Sequence, residues 1–217
     1  MDVPVKRISG QVLPTPYAQA RYYHRSLQPE KLIECGFSYL HSKQTMKMCK
    51  RIQSLPEEPT LKGIRPMKKS DAGAVRDLLN NYGEHFMVRQ VWSKKEVEHF
   101  FMPKDNVIYS YVVETDEKVT DFFSFYSLPS SILKHPVHKT LRAAYSYYIA
   151  VTKNSIKDIF ECAIIIAKNE GFDVFNSLDV MENKKVFEVR FVIINQNRIY
   201  CSARAMGTST IISGTGL

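Results

Sequence analysis

No stretch of the 217 residues approaches the ~18 consecutive apolar residues that a membrane-spanning helix needs. The N-terminal run Met1-Asp-Val-Pro-Val-Lys-Arg7 also lacks the apolar centre of a signal peptide. Cysteine is scarce: Cys35, Cys49, Cys162 and Cys201 stand far apart with no Cys-x-x-Cys spacing, which excludes a disulfide framework and fits a reduced, cytoplasmic chain. The few glycines form no Gly-x-x-x-x-Gly-Lys phosphate cradle, no Gly-x-Gly-x-x-Gly fingerprint and no Gly-x-Ser-x-Gly elbow, so three large enzyme classes lose their signature. Acidic residues are the minority, 22 against 30 basic, for a net charge of +8. Such a balance suits an anionic partner, but the basic residues are dispersed, densest from Lys43 to Lys69, and no aromatic-plus-arginine signature accompanies them. Nucleic-acid binding is not expected. His135-Pro-Val-His138 has metal-like spacing without a third ligand and reads as a pair of solvated loop histidines. No internal repeat is present.

What the chain does contain is a core. Hydrophobic residues make up 44% and aromatics 12%, enough for one ordinary domain with an extension or for two small ones. Pro14, Pro16 and Pro29 deny the first 29 residues a continuous helix, leaving a strand around Ala20–Leu27. Helical turns follow over 30–36, ending at Gly36, and over 42–53. Pro56 and Pro59 mark a linker, so residues 1–60 read as a linking segment and 61–217 as the main domain. There Ser70 is placed to cap a helix with Val75, Leu78, Leu79 and Tyr82 on one face and Gly83 as its stop. Ser93 and Glu96 form a capping box for a short helix that should bury Val97, Phe100 and Phe101. Val107–Val113 and Val119–Ser127 read as a hairpin whose second strand, apolar on both faces, belongs in the middle of a sheet. Tyr145–Val151 is a further strand. Ser155 caps a helix with the stripe Ile156, Ile159, Phe160, Ala163, Ile164 and Ala167, stopped by Gly171. Phe172–Leu178 returns as a strand, Asn183–Arg190 as a helix and Arg198–Ser202 as a last strand; Met206–Leu217 looks irregular. Cys162, inside the apolar helix, reads as packing. Periodicity alone supports an α/β or α+β fold with a mixed sheet.

The element order resembles the GNAT acyltransferase plan. A GNAT domain that binds acyl-CoA normally carries a glycine-containing Arg/Gln-x-x-Gly-x-Gly/Ala loop before its central helix, where backbone N–H groups hold the pyrophosphate. The corresponding junction here is Val151-Thr152-Lys153-Asn154-Ser155, with no glycine, so this domain is not expected to take CoA itself.

Longer runs carry a closer resemblance. Val12-Leu13-Pro14-Thr15-Pro16, Arg21-Tyr22-Tyr23-His24-Arg25-Ser26-Leu27, Phe125-Tyr126-Ser127-Leu128-Pro129-Ser130, Leu141-Arg142-Ala143-Ala144-Tyr145-Ser146-Tyr147-Tyr148, Gly171-Phe172-Asp173-Val174-Phe175-Asn176 and Met181-Glu182-Asn183-Lys184 together resemble the C-terminal half of eukaryotic N-myristoyltransferase. The resemblance implies one of two GNAT-like halves: the absent half binds the co-substrate myristoyl-CoA and supplies the oxyanion donors, and this half forms the groove for N-terminal glycine peptides. No tightly bound cofactor is implied. Residue by residue, Gly10, Tyr22, His24, Ser130 and Tyr145 match peptide-groove positions, and the terminal carboxylate of Leu217 matches the base that deprotonates the attacking glycine amine. The family's Lys-Phe-Gly-x-Gly-Asp-Gly segment reads Arg190-Phe191-Val192-Ile193-Ile194-Asn195-Gln196, without the acidic residue or the three glycines. The reading implied is a fragmentary N-myristoyltransferase with little or no turnover alone, its uncovered apolar surface favouring dimerisation or aggregation. The alternative is a non-catalytic GNAT-like peptide-binding module.

Overall fold

A computed structural model describes residues 7–8, 11–12, 18–40, 42–133, 135–190, 198–201 and 210–212. In chain order the first elements are β1 (Arg7–Ile8), β2 (Gln11–Val12), β3 (Ala18–Ser26), α1 (Pro29–Glu34), α2 (Met46–Ile52), β4 (Ile64–Pro66), α3 (Ala72–Gly83), β5 (Val88–Gln90) and α4 (Lys94–Phe101). Then come β6 (Ile108–Thr115), β7 (Lys118–Ser127), β8 (Ser130–Ser131), β9 (Thr140–Leu141), β10 (Ala143–Ala150), α5 (Ile156–Asn169), β11 (Val174–Leu178), α6 (Lys184–Arg190), β12 (Arg198–Cys201) and β13 (Thr210–Ile212).

Seven strands form one mixed sheet in the order β12-β3-β11-β10-β7-β6-β4. Among the described residues only β10 and β11 run parallel, joined by the crossover helix α5; the other ladders are antiparallel. The alternation along β7 explains its central place. Phe123 and Phe125 enter the core shared with α5 and α6, while Phe122 enters the core shared with α3 and α4. Because both faces are covered, neither side of β7 can be polar. A third, smaller cluster packs Leu32 of α1 against Leu141, Ala143 and Val174. On the face opposite α5, the helices therefore stand at two separate places.

The crossover helix follows its sequence closely. The Ser155 side chain accepts from the Asp158 N–H, and the apolar run buries eight residues from Ile159 to Ala167, Cys162 among them. Gly171 ends it at φ +77°, a conformation only glycine takes without strain. The N–H groups of Phe172 and Gly171 donate back to the carbonyls of Ala167 and Lys168 at 3.0 Å each.

Asp173, the residue after this turn, ties three elements together. Its carboxylate accepts from the Arg142 N–H at 2.7 Å and from Lys31 Nζ at 2.6 Å. Its backbone N–H donates to the Arg142 carbonyl at 2.8 Å, and its carbonyl accepts from Leu27 and Gln28 at 2.9 and 3.0 Å. The start of β10, the end of β3 and helix α1 are thereby fixed against the start of β11.

Four local expectations need correction. Ser70 does not cap α3; it lies inside a 3-10 turn, and Asp71 closes that turn by accepting from the Lys68 N–H and both Nη groups of Arg65. Phe100 is 46% exposed, packing edge-on against Trp92, because Val97 and Phe101 already fill the inward face of α4. Within the tail expected to be irregular, β13 pairs with β5. Residues 18–26, placed by sequence in a linking segment, supply the strand between β12 and β11, so the sheet crosses the boundary drawn at residue 60.

The β6–β7 hairpin turns through Asp116 and Glu117, both at positive φ (+52° and +58°). Two consecutive left-handed residues define a turn that favours Asn-Gly, and a glutamate there is strained. Glu117→Gly is expected to stabilise the chain by about 1 kcal/mol, read as a higher urea midpoint with an unchanged slope.

Candidate functional site

Strand register assembles the site. His24 of β3 stands opposite Asn176 of β11, Asn176 opposite Tyr145 of β10, and Tyr145 opposite Tyr126 of β7. Directly opposed residues share a face, so these four form one row across the sheet. The row lies on the face that α1 and α3–α4 cover at separate places, between the two groups. Tyr22 joins it, its ring 6.2 Å from His24 and 5.7 Å from Tyr145. Tyr145 and Tyr126 stack at 5.4 Å, and Phe37, from the turn after α1, meets His24 edge-on at 5.6 Å.

Asn176, only 2% exposed, is the polar centre of the row. Its Oδ1 accepts from His24 Nδ1 at 2.6 Å, which fixes the neutral tautomer and leaves Nε2 as the ring's acceptor. Its side chain also bonds Tyr145. Burial raises the Tyr22 and Tyr145 phenols, and burial together with the neighbouring phenols pushes Tyr126 up to about 12. Burial lowers His24 against the opposing Asn176 bond. At neutral pH the row is therefore uncharged: flat aromatic faces edged with hydroxyl donors, and neither a carboxylate nor a thiol within it. Its chemistry is that of a binding surface.

Of the residues singled out by sequence, Tyr22, His24 and Tyr145 come together. Ser130 is exposed in the β8–β9 ribbon opposite Leu141, whose side chain packs in the cluster that also takes Tyr145. Gly10, Leu217 and the altered segment from Phe191 to Gln196 lie outside the described residues. Sequence reasoning missed Asn176, Tyr126 and Phe37. The available signal for Asn176 was a polar residue in the middle of the apolar run Val174–Leu178.

The junction before α5 has its own anion. Asp121, fully buried, points Oδ1 at three successive backbone N–H groups, Thr152 at 2.8 Å, Lys153 at 3.2 Å and Asn154 at 3.3 Å. Its Oδ2 accepts from Asn154 Nδ2 at 2.6 Å and from the Thr120 hydroxyl at 2.9 Å. Converging N–H groups at a helix start make an anion-binding nest. Because a carboxylate of the chain already fills it, the residues do not fit a coenzyme pyrophosphate there.

The histidine pair has other partners. His135 Nδ1 accepts from the N–H groups of Val137 and His138, and His138 Nε2 contacts Glu34 at 2.8 Å. Among the described residues no group of three or more potential metal ligands occurs.

Comparison with known proteins places this arrangement. Residues 34–199 match the family described as myristoyl-CoA:protein N-myristoyltransferase, C-terminal domain. The chain belongs to the N-myristoyltransferase family. It is 45% identical over 194 residues to glycylpeptide N-tetradecanoyltransferase 2 of Bos taurus, covering 88% of this chain and 39% of that one. The corresponding Drosophila melanogaster enzyme is 46% identical over 181 residues, covering 82% and 38%. A Saccharomyces cerevisiae N-myristoyltransferase solved with bound myristoyl-CoA superposes with a TM-score of 0.77 at 35% identity, over 82% of this chain and 45% of that one. The chain thus spans about two-fifths of the length of the N-myristoyltransferase relatives it matches. Its fold is the GNAT-like acyltransferase fold of that family, with the mixed sheet expected from the sequence.

Two pH effects follow. Burial raises the Asp121 carboxyl, but its hydrogen bonds outweigh that and hold it below the ordinary 3.8. A depressed acid contributes stability that is present above 3.8 and lost as pH falls through the folded-state value. Asp121→Asn is expected to cost about 3 kcal/mol in urea at neutral pH, and to lose less stability than the parent between about pH 5 and about pH 3. For His24, a base held below 6.5, the unfolded chain takes the proton first, so stability is full above 6.5 and declines as pH drops through the folded value. His24→Gln should flatten that limb in denaturation midpoints measured from about pH 7.5 to about pH 5.

Proposed function

We propose that this chain is the peptide-binding part of a glycylpeptide N-tetradecanoyltransferase, working with a region that carries myristoyl-CoA to acylate N-terminal glycines. The single observation behind the reading is the uncharged row of Tyr22, His24, Asn176, Tyr145 and Tyr126, left between two groups of helices in a member of this family. An extended peptide exposes amide edges and side-chain faces, and hydroxyl-edged aromatics serve both.

The chemistry requires more than this row. An N-terminal amine, with an ordinary pKa near 8, is largely protonated at neutral pH and must lose that proton before its nitrogen attacks the thioester carbonyl. The new C–N bond forms as the C–S bond breaks, and the thiolate leaves and takes up a proton. The resemblance gives the role of proton acceptor to the Leu217 carboxylate, which is not a member of the row. Coenzyme binding likewise belongs to a different region, since the Asp121 carboxylate takes up the N–H groups at the α5 start. That occupied nest equally supports the second reading, a stand-alone peptide-binding module of the same fold; the two differ in whether adding a separate coenzyme-binding region yields acyl transfer. Under either reading the chain is cytoplasmic.

Titration calorimetry of the chain with an octapeptide beginning in glycine, and separately with myristoyl-CoA, tests the assignment. The peptide is expected to bind and the coenzyme to give no saturable heat. Tyr145→Ala, which removes the ring that meets Tyr22 edge-on and stacks on Tyr126, should weaken the peptide about tenfold. Saturable coenzyme binding without peptide binding would reverse the assignment.

A further inference from the structure

Two segments without a single acid leave the same end of the main sheet. Residues 42–53, which contain α2, hold Lys43, Lys47, Lys50 and Arg51 and no carboxylate; residues 130–141, the β8–β9 ribbon with its loop, hold no carboxylate either. The first follows the end of β3 and the second joins the end of β7 to the start of β10, and Ser26, Ser127 and Ala143 stand at one end of the ladders. Helix α1 ties the two together. Its Glu30 pairs with Lys50 of α2, and its Glu34, one turn on, meets His138 Nε2 of the ribbon at 2.8 Å. Both carboxylates of α1 are thereby taken up. The acids that come next in sequence, Glu57 and Glu58, belong to a stretch laid along α5, where Asn169 Nδ2 donates to the Glu57 carbonyl at 2.7 Å and Lys168 Nζ to the Leu55 carbonyl at 3.3 Å.

Both segments turn apolar as well as basic groups outward. In α2 the buried member is Cys49, and Gln53, just after the helix, accepts from Arg25 at its carbonyl at 3.2 Å, fastening α2 to β3. Lys47 and Arg51, four apart, form one exposed stripe; Met48 and Ile52, also four apart, form the next, 43% and 57% exposed. Of the four cations in this segment only Lys50 is ion-paired among the described residues. On the ribbon loop Leu133 and Val137 are 83% and 74% exposed, the two most exposed large apolar side chains among the described residues. That loop is held by its own bonds: His135 Nδ1 accepts from the N–H groups of Val137 and His138, and Lys139 Nζ donates to the His135 carbonyl at 3.0 Å. The fold therefore presents Leu133 and Val137 to solvent on a bonded turn.

Unpaired cations suit an anion, and exposed aliphatic side chains suit an apolar phase. A nucleic-acid backbone meets the first need and offers nothing to Leu133, Val137, Met48 or Ile52. A lipid surface with anionic headgroups meets both: its charge attracts lysine and arginine within a Debye length, and aliphatic side chains enter the boundary between headgroups and acyl chains. We propose that this end of the domain docks on a membrane surface rich in anionic lipid, α2 laying Lys47 and Arg51 against the headgroups and the ribbon loop inserting Leu133 and Val137. None of these residues belongs to the aromatic row, so the proposal stands apart from the peptide reading.

Flotation of the full chain with lipid vesicles tests this, since aggregates sink and bound protein rises. Vesicles of phosphatidylcholine alone are compared with vesicles containing about one-third phosphatidylserine. The chain is expected to float with the anionic vesicles and not with the neutral ones, and to partition about tenfold less when salt rises from about 0.1 M to about 0.5 M. Lys47→Gln with Arg51→Gln should weaken the partition about twentyfold, at about fivefold for each cation. Leu133→Ser with Val137→Ser should weaken it about tenfold. All four positions are exposed, and circular dichroism checks each double variant; if one pair fails to fold, the other decides. Equal flotation with both kinds of vesicle, none with the anionic kind, or a partition unaltered by the substitutions would overturn the proposal. Loss with the charge pair alone, together with equally tight binding of polyuridylate, would assign the surface to nucleic acid instead.

Discussion

The carboxylate and peptide group of Asp173 set the register on which everything else on this face depends. By bonding Arg142 on both sides of its backbone and receiving Leu27 and Gln28, this one residue fixes where β10, β11 and β3 begin relative to one another. A slip of one residue in any of the three strands would turn its row member to the opposite face. Asn176 would then lose both His24 and Tyr145. Lys31 completes the arrangement by fastening α1, and hence the turn carrying Phe37, to the same carboxylate. The aromatic row is thus a consequence of a partly buried ion pair and a few backbone bonds at the end of the sheet.

How much of this could be read from the letters depends on the distance over which each feature acts. The crossover helix was legible in full: Ser155, the Ile159–Ala167 stripe and Gly171 act within a few residues of one another. The capping box at Ser93 and Glu96 is equally local, and both partners are bonded as expected. Ser70 failed as a cap because Arg65 and Lys68 recruit Asp71, one residue on, and Arg65 is itself held by Glu114 on another strand. Phe100 failed because hydrophobicity does not reveal how many side chains one face of a short helix accommodates. Tyr22, His24 and Tyr145 were found through family resemblance, which carries register implicitly. Asn176 and Tyr126 could be assigned only once the ladders were known, since His24 and Asn176 are 152 positions apart.

The charge states along the row follow from its burial. Burial acts on every member in the direction that favours the neutral form, raising the phenols and lowering the imidazole. Desolvation without a compensating countercharge has that sign for acids and bases alike. The row's hydrogen-bonding capacity is preserved through Asn176.

Asp121 shows how the same topology serves two ends. A strand, a turn with converging N–H groups and a helix start make a pocket of positive potential wherever they occur. An external anion filling it must give up translational freedom and part of its hydration, whereas a side chain from the adjacent β7 is already held in place by the fold. With the carboxylate inside, five donors are satisfied and the start of the longest helix is anchored to the centre of the sheet. The geometry that could have held a phosphate instead stabilises the domain. The face of the sheet carrying the aromatic row is then free to take a different class of partner.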